Sequence, residues 1–122
     1  MSAAVGVERI GRDKASLSRF FDVADGIYAD DPNWVAPLRD DLAKVFRDEN
    51  PFFRHGEMQL FVARRDGKDV GRIAAILDRN HNEFHGEKAS FFGYFECEND
   101  PAIAKVLLDA AAVWGRERKM TV

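Results

Sequence analysis

Apolar residues recur three and four positions apart between Ala15 and Tyr28, where Leu17, Phe20, Phe21, Ala24, Ile27 and Tyr28 form one stripe. That period predicts an amphipathic helix with an aromatic face. Asp13 or Ser16 suits its N-cap, because a short side-chain oxygen can accept from the first free N–H groups. In "MQLFVARRDGKDVGRIAAILD" the period changes, and two β-rich runs flank Asp66-Gly67, a pair suited to a turn with positive φ. An antiparallel hairpin is expected. In its second arm Ile73, Ala75 and Leu77 fall on one face, with Val70, Arg72, Ala74 and Ile76 on the other. Both faces are largely apolar, so this strand should be central and covered on each side.

The remaining elements follow from weaker patterns. Val5–Ile10 reads as a short strand, and "DDPNWVAPL", with its two prolines, as a loop. A second helix is expected from Pro37 or Leu38 to about Asp48, with Leu42, Val45 and Phe46 inward. "RNHNEFHGEKA" reads as a polar connection. Ser90–Glu98 should be a strand with Phe91, Phe95 and Cys97 on one side and Phe92, Tyr94, Glu96 and Glu98 opposite. Asn99 or Asp100 can cap a last helix, with Pro101 in its first turn. Ile103, Leu107, Ala110 and Trp114 make that helix's apolar stripe, widened by Val106 and Val113. The order is β-α-α-β-β-β-α. It predicts an α+β fold whose mainly antiparallel sheet carries helices on both faces.

Composition narrows the function more than the fold. A chain of 122 residues is one domain, able to bury about two thirds of the surface its unfolded form exposes. A net charge of −3 gives no global basic field, which argues against nucleic acid as a partner. Arg64, Arg65 and Arg72 near the hairpin read as strand arginines solvating an edge. Cys97 is the only cysteine, so no internal disulfide or Cys-based zinc cluster can form; it reads as a core residue in a reducing cytoplasm. His81 and His85 would share a face on a helix, but the loop reading and the lack of a third ligand argue against a metal. His55 is isolated. No segment approaches the ~20 apolar residues of a membrane helix, so no membrane partner is expected and the location is read as cytoplasmic.

With the order β-α-α-β-β-β-α, and in "FVARRDGKDVGRIAAILD" and "AKVLLDAAAVWGRERKM", the sequence resembles the GNAT superfamily of acyl-CoA-dependent N-acyltransferases. The two segments correspond to that family's central hairpin and to the helix whose N-terminus faces the cofactor pyrophosphate. The resemblance implies a strand beginning near Met120, so the chain reads as a single domain truncated before the fifth strand, whose bare edge could self-associate. It also implies acetyl-CoA as acyl donor and a small-molecule or peptide amine as acceptor.

The family's phosphate motif, Gln/Arg-x-x-Gly-x-Gly/Ala, falls on Asn99, Asp100, Pro101, Ala102, Ile103 and Ala104. Asn99, Asp100, Ala102, Ile103 and Ala104 are therefore the candidate cofactor residues, although only Ala104 fits. Ala102 replaces a glycine, Pro101 lacks an N–H, and Asp100 would repel a phosphate. The alternative for the segment is an ordinary capped helix start. Glu96 is the candidate base, standing where many members of the family keep a carboxylate; a solvated strand glutamate is the alternative. Trp34 and Tyr94 are candidates to line the acceptor pocket, Trp34 alternatively being an anchor that packs its loop on the sheet. The reading is an acetyl-CoA-dependent N-acetyltransferase, or else a non-catalytic GNAT-like domain that serves protein contact.

Overall fold

A computed structural model describes residues 4–34 and 39–121. Four antiparallel strands form one sheet in the order β1-β2-β3-β4, with β1 at Gly6–Ile10, β2 at Gly56–Arg65, β3 at Lys68–Asp78 and β4 at Phe91–Cys97. Helix α1 (Lys14–Ile27) and the short α2 (Arg39–Val45) precede the hairpin, α3 (Arg79–His85) joins β3 to β4, and α4 (Pro101–Glu117) follows β4. A 3₁₀ turn at Pro51–Arg54 leads into β2.

The hairpin turns where it was expected to. Asp66 and Gly67 have φ of 54° and 75°, the paired positive values that only a glycine and a residue such as Asp adopt readily. Both sheet faces are covered, as the two-sided apolar pattern of β3 required. On one face Phe61, Ala63, Val70, Ile73, Ala75 and Leu77 pack against Ile103, Leu107, Ala111 and Trp114 of α4. On the other, Leu60, Val62 and Ala74 pack against Leu17, Phe20, Phe21 and Val23 of α1 and against Phe46. Gly71 sets how closely α4 approaches the sheet. A Cβ there would stand 2.7 Å from Leu107 Cδ1 and 2.9 Å from Cys97 Cβ, distances no side chain tolerates.

The starts of α1, α3 and α4 are capped by aspartates. Asp13, not Ser16, caps α1 by accepting from the Ser16 N–H at 3.2 Å and hydroxyl at 2.6 Å. Asp100 caps α4, with Pro101 in the first turn. Beyond α4 the chain turns back, and the Thr121 N–H donates to Lys88 O at 2.7 Å. The segment leaving α4 thus returns beside the residues that lead into β4.

Several expectations need correction. α3 replaces the expected polar connection: Asp78 caps it by accepting from the Asn80 and His81 N–H groups, and Gly86 closes it at φ 64°. It buries no residue, and Phe84 is 86% exposed, so no apolar stripe could announce it. α2 ends at Val45, whose side chain is exposed, while Phe46 beyond it is fully buried. The start proposed for α2 at Pro37 or Leu38 lies outside the described residues. Val113 is exposed, and Ala111 joins the buried stripe of α4. Val70 packs with α4 and not on the face of Arg72, because the β2–β3 register shifts between Ala63 and Arg64.

Candidate functional site

β4 departs from strict alternation at its centre. Arg72 pairs with Glu96 and Ala74 with Gly93, so Tyr94 and Phe95 together oppose the single residue Ile73. This is a β-bulge. Tyr94 adopts φ of 55°, a conformation a bulky side chain enters at a cost of about 1–3 kcal/mol and keeps only where its surroundings impose it. Because of the extra residue, the Phe92 and Phe95 rings meet edge to face at 6.1 Å, although alternation put them on opposite sides.

Arg72 holds the bulge. Its Nε donates to Tyr94 O at 3.0 Å, its Nη1 donates to Phe20 O of α1 at 3.0 Å, and its guanidinium lies 4.8 Å from the centre of the Phe20 ring. The side chain is 7% exposed, so it does not solvate an edge as its strand position suggested. Burial pulls its pKa below the usual arginine range, with the charges of Glu96 and Asp25 opposing that pull. Among the described residues it makes no ion pair, which makes it a buried cation satisfied by carbonyl oxygens and an aromatic face.

Glu96 stands directly across the ladder from Arg72 and is half-buried. The Tyr28 hydroxyl, at the C-terminal end of α1, donates to Glu96 Oε2 in a short hydrogen bond. That bond and the carboxylate's charge raise the Tyr28 pKa, so the phenol keeps its proton. Trp34 stacks on Tyr28 with ring centres 4.5 Å apart and planes 20° apart. Glu96 and Trp34, chosen separately from the sequence, are therefore joined through Tyr28. The ring of Tyr94 turns the other way, into the core, against Phe46 at 5.1 Å and Phe20 at 6.5 Å. What Tyr94 presents to this locus is its backbone.

A small hollow of about 20 Å³ is lined by Arg72, Trp34, Phe21, Leu42 and the ion pair of Arg39 with Asp25. Sequence reasoning missed Tyr28 and Arg72. For Arg72 a signal existed: one charge in a strand apolar on both faces must find buried partners.

The start of α4 forms a second locus beyond the end of β4. Asp100 Oδ1 accepts from the Ala102 N–H at 2.9 Å, and Asp100 O accepts from the N–H groups of Ile103 at 3.1 Å and Ala104 at 3.3 Å. Arg65 donates to Asp100 Oδ2 at 2.8 Å and approaches Glu98 at 3.5 Å, and Lys68 pairs with Glu98 at 3.0 Å. The Ala102 N–H and the Arg65 guanidinium hold the Asp100 carboxyl below its usual range. Asn99 and Ala102 are exposed, whereas Ile103 is fully buried in the core. A diphosphate fits this helix start poorly as it stands, because the aspartate occupies the N–H that a phosphate oxygen would use.

Cys97 is partly buried, and burial pushes its thiol pKa up, consistent with a packing role. His81 and His85 do share a face on α3, with ring centres 4.4 Å apart, and His81 Nε2 lies 3.0 Å from Glu87. Among the described residues no group of three or more His, Cys, Asp or Glu side chains could hold a metal, and no helix is long and apolar enough to cross a membrane.

No family model matches the chain. Two curated proteins do. One, named bacterial ceramide synthase, from Caulobacter vibrioides, is 41% identical over 109 residues, covering 88% of this chain and 28% of its own length. The other, Protein YghO of Escherichia coli, is 34% identical over 109 residues, covering 89% of this chain and 28% of its own length. The chain thus spans little more than a quarter of these relatives.

Among solved structures, a tandem GNAT protein from the clavulanic acid biosynthesis pathway superposes with a TM-score of 0.72 at 15% identity. The match covers 97% of this chain and 35% of the other. An aminoglycoside acetyltransferase from an uncultured soil metagenomic sample, in complex with sisomicin, gives a TM-score of 0.64 at 18% identity, covering 96% of this chain and 73% of the other. The chain has a GNAT-like fold.

Proposed function

We propose that this chain supplies the acceptor side of an acyl-CoA-dependent N-acyltransferase, which joins an acyl group to an amine as an amide. One observation carries the reading: at the β4 bulge a half-buried carboxylate, Glu96, is fixed by the Tyr28 hydroxyl within an aromatic wall made with Trp34. At neutral pH a simple alkyl amine is an ammonium ion and cannot attack a carbonyl until it loses a proton. Tyr28 engages Oε2, so Oε1 of Glu96 is the oxygen left to accept that proton. The face of Trp34 attracts a cation and holds the ammonium near the carboxylate. Arg72 fixes the bulge, and with it the position of Glu96.

The neighbours' acetyltransferase fold supports acyl transfer, with acetyl-CoA the simplest donor. The relative named a ceramide synthase supports a fatty acyl donor, because a ceramide is a fatty amide. The donor is a substrate, and its diphosphate finds no ready cradle at Asp100. The reading therefore assigns the chain's own residues to the amine, and donor binding to a rearranged α4 start.

A second reading, a GNAT-like domain that no longer binds the donor and serves protein contact, is favoured by the same aspartate over the Ala102 N–H. Thiol release from acetyl-CoA and from a long-chain acyl-CoA, followed with and without a primary amine, separates the two. Amine-dependent release supports the transferase; no release with either donor supports the non-catalytic domain.

A further inference from the structure

α3 buries no residue, yet it carries Phe84, which at 86% is the most exposed of the large apolar side chains described. Its position in the fold is nevertheless fixed. Asn82 donates to Ala89 O at 3.0 Å and lies 3.5 Å from Met120 Sδ, which sets α3 beside the exit of α4. Ring contacts run on from Phe84 to His85 at 5.0 Å, from His85 to His81 at 4.4 Å and from His81 to Phe91 at 4.8 Å. Phe91 and Phe92, both exposed, border an open groove with Leu108, Arg116, Lys119 and Met120. One end of the molecule therefore presents Phe84, Phe91 and Phe92 to solvent.

Charge at this end runs against the net −3 of the whole chain. Lys88, Arg116 and Lys119 are all exposed here, and none forms an ion pair with a described residue. The Thr121 N–H donates to Lys88 O at 2.7 Å, which brings Lys88 to the side of the end of α4. Of the nearby acids, Glu87 is engaged by His81 at 3.0 Å and Glu117 by Arg9 at 2.6 Å. Glu83 is the acid left over, so cations prevail. Exposed aromatics among unpaired cations match apolar matter that lies beneath an anionic layer. A rigid protein partner would need one pocket for Phe84, standing off on α3, and a separate ridge for the groove; fluid hydrocarbon needs neither.

We infer that this end of the molecule, formed by α3, the start of β4 and the end of α4, docks on an anionic lipid surface. Phe84 enters the boundary of the hydrocarbon, and Lys88, Arg116 and Lys119 meet the headgroups. The expectation of no membrane partner rested on the lack of a spanning segment, which a peripheral contact does not need. The contact is independent of the acyl-transfer reading.

Vesicles of phosphatidylcholine, alone or containing phosphatidylglycerol, are the probes, and co-sedimentation of the chain is the measurement. Binding is expected to the vesicles with phosphatidylglycerol, weakening as salt is raised. Lys88→Gln, Arg116→Gln and Lys119→Gln should each lower vesicle affinity about fivefold, and Phe84→Ser at least about tenfold. Lys68→Gln, at the far end of β3 from α3, should leave it unchanged. Phe84 is too exposed for the fold to depend on it, and melting curves confirm that the variants are folded. No binding to either vesicle, equal binding to both, or binding that Phe84→Ser leaves unchanged overturns the inference. Self-association that Phe84→Ser abolishes, without vesicle binding, gives this face to a second copy and overturns it too.

Discussion

Arg72 and Glu96 are direct partners across β3 and β4, yet no ion pair joins them; the guanidinium turns instead to the carbonyls of Tyr94 and Phe20. The arginine is thereby committed to the backbone of the bulge and of α1, and Glu96 is left to Tyr28. Arg72→Met should destabilise the chain by about 1–3 kcal/mol, the loss of hydrogen bonds from a charged donor partly offset by relief of its burial. Urea unfolding measures this. An unchanged midpoint would mean that the bulge holds without the arginine.

Trp114 is 1% exposed, and its Nε1 is the buried side-chain polar atom that has no partner among the described residues. Trp114→Ala should cost roughly 3–5 kcal/mol, as large core aromatics do. Trp114→Phe keeps most of the volume and removes the unsatisfied N–H, so it should cost well under half as much. Thermal or urea unfolding of the two variants side by side checks the ratio; equal losses would assign the stability to the indole nitrogen and not to packing.

Asp100 has a lowered pKa because the Ala102 N–H and Arg65 favour its ionised form. A group depressed on folding stabilises the native state above its unfolded pKa, near 3.9, and that contribution fades as pH falls through the lower folded value. Asp100→Asn keeps a competent cap but cannot titrate, so its stability should fall less steeply than wild type below about pH 4. Unfolding midpoints from pH 2 to 6 report this. The same substitution should strengthen any affinity for acetyl-CoA by removing a negative charge from the helix start, and Ala102→Gly should add to the effect in a coupled way, since both act at one cap.

The elements that bury a stripe were legible from the chain: α1, the hairpin and α4 each bear a period that only one geometry satisfies. α3 bears none, because its helix rests on the Asp78 cap and the Gly86 exit and not on a buried face. The bulge was not legible either. "FFGYFEC" alternates on paper, and the extra residue at Tyr94 is forced by the register of β3 and by Arg72, both distant in sequence. Glu96 and Trp34 could be singled out by residue type and position, but their link runs through Tyr28, which the sequence showed only as the end of an apolar stripe.

The central claim is that Glu96, held by Tyr28, takes the proton from the acceptor amine. It is tested most directly by the amine-dependent rate of thiol release from acyl-CoA by wild type and Glu96→Gln, with Tyr28→Phe beside them and melting curves for all three. General-base removal predicts a loss of about 10²–10⁴-fold for Glu96→Gln and a smaller loss for Tyr28→Phe, with cooperative unfolding retained. A Glu96→Gln protein that folds and releases thiol at the wild-type rate would contradict the account.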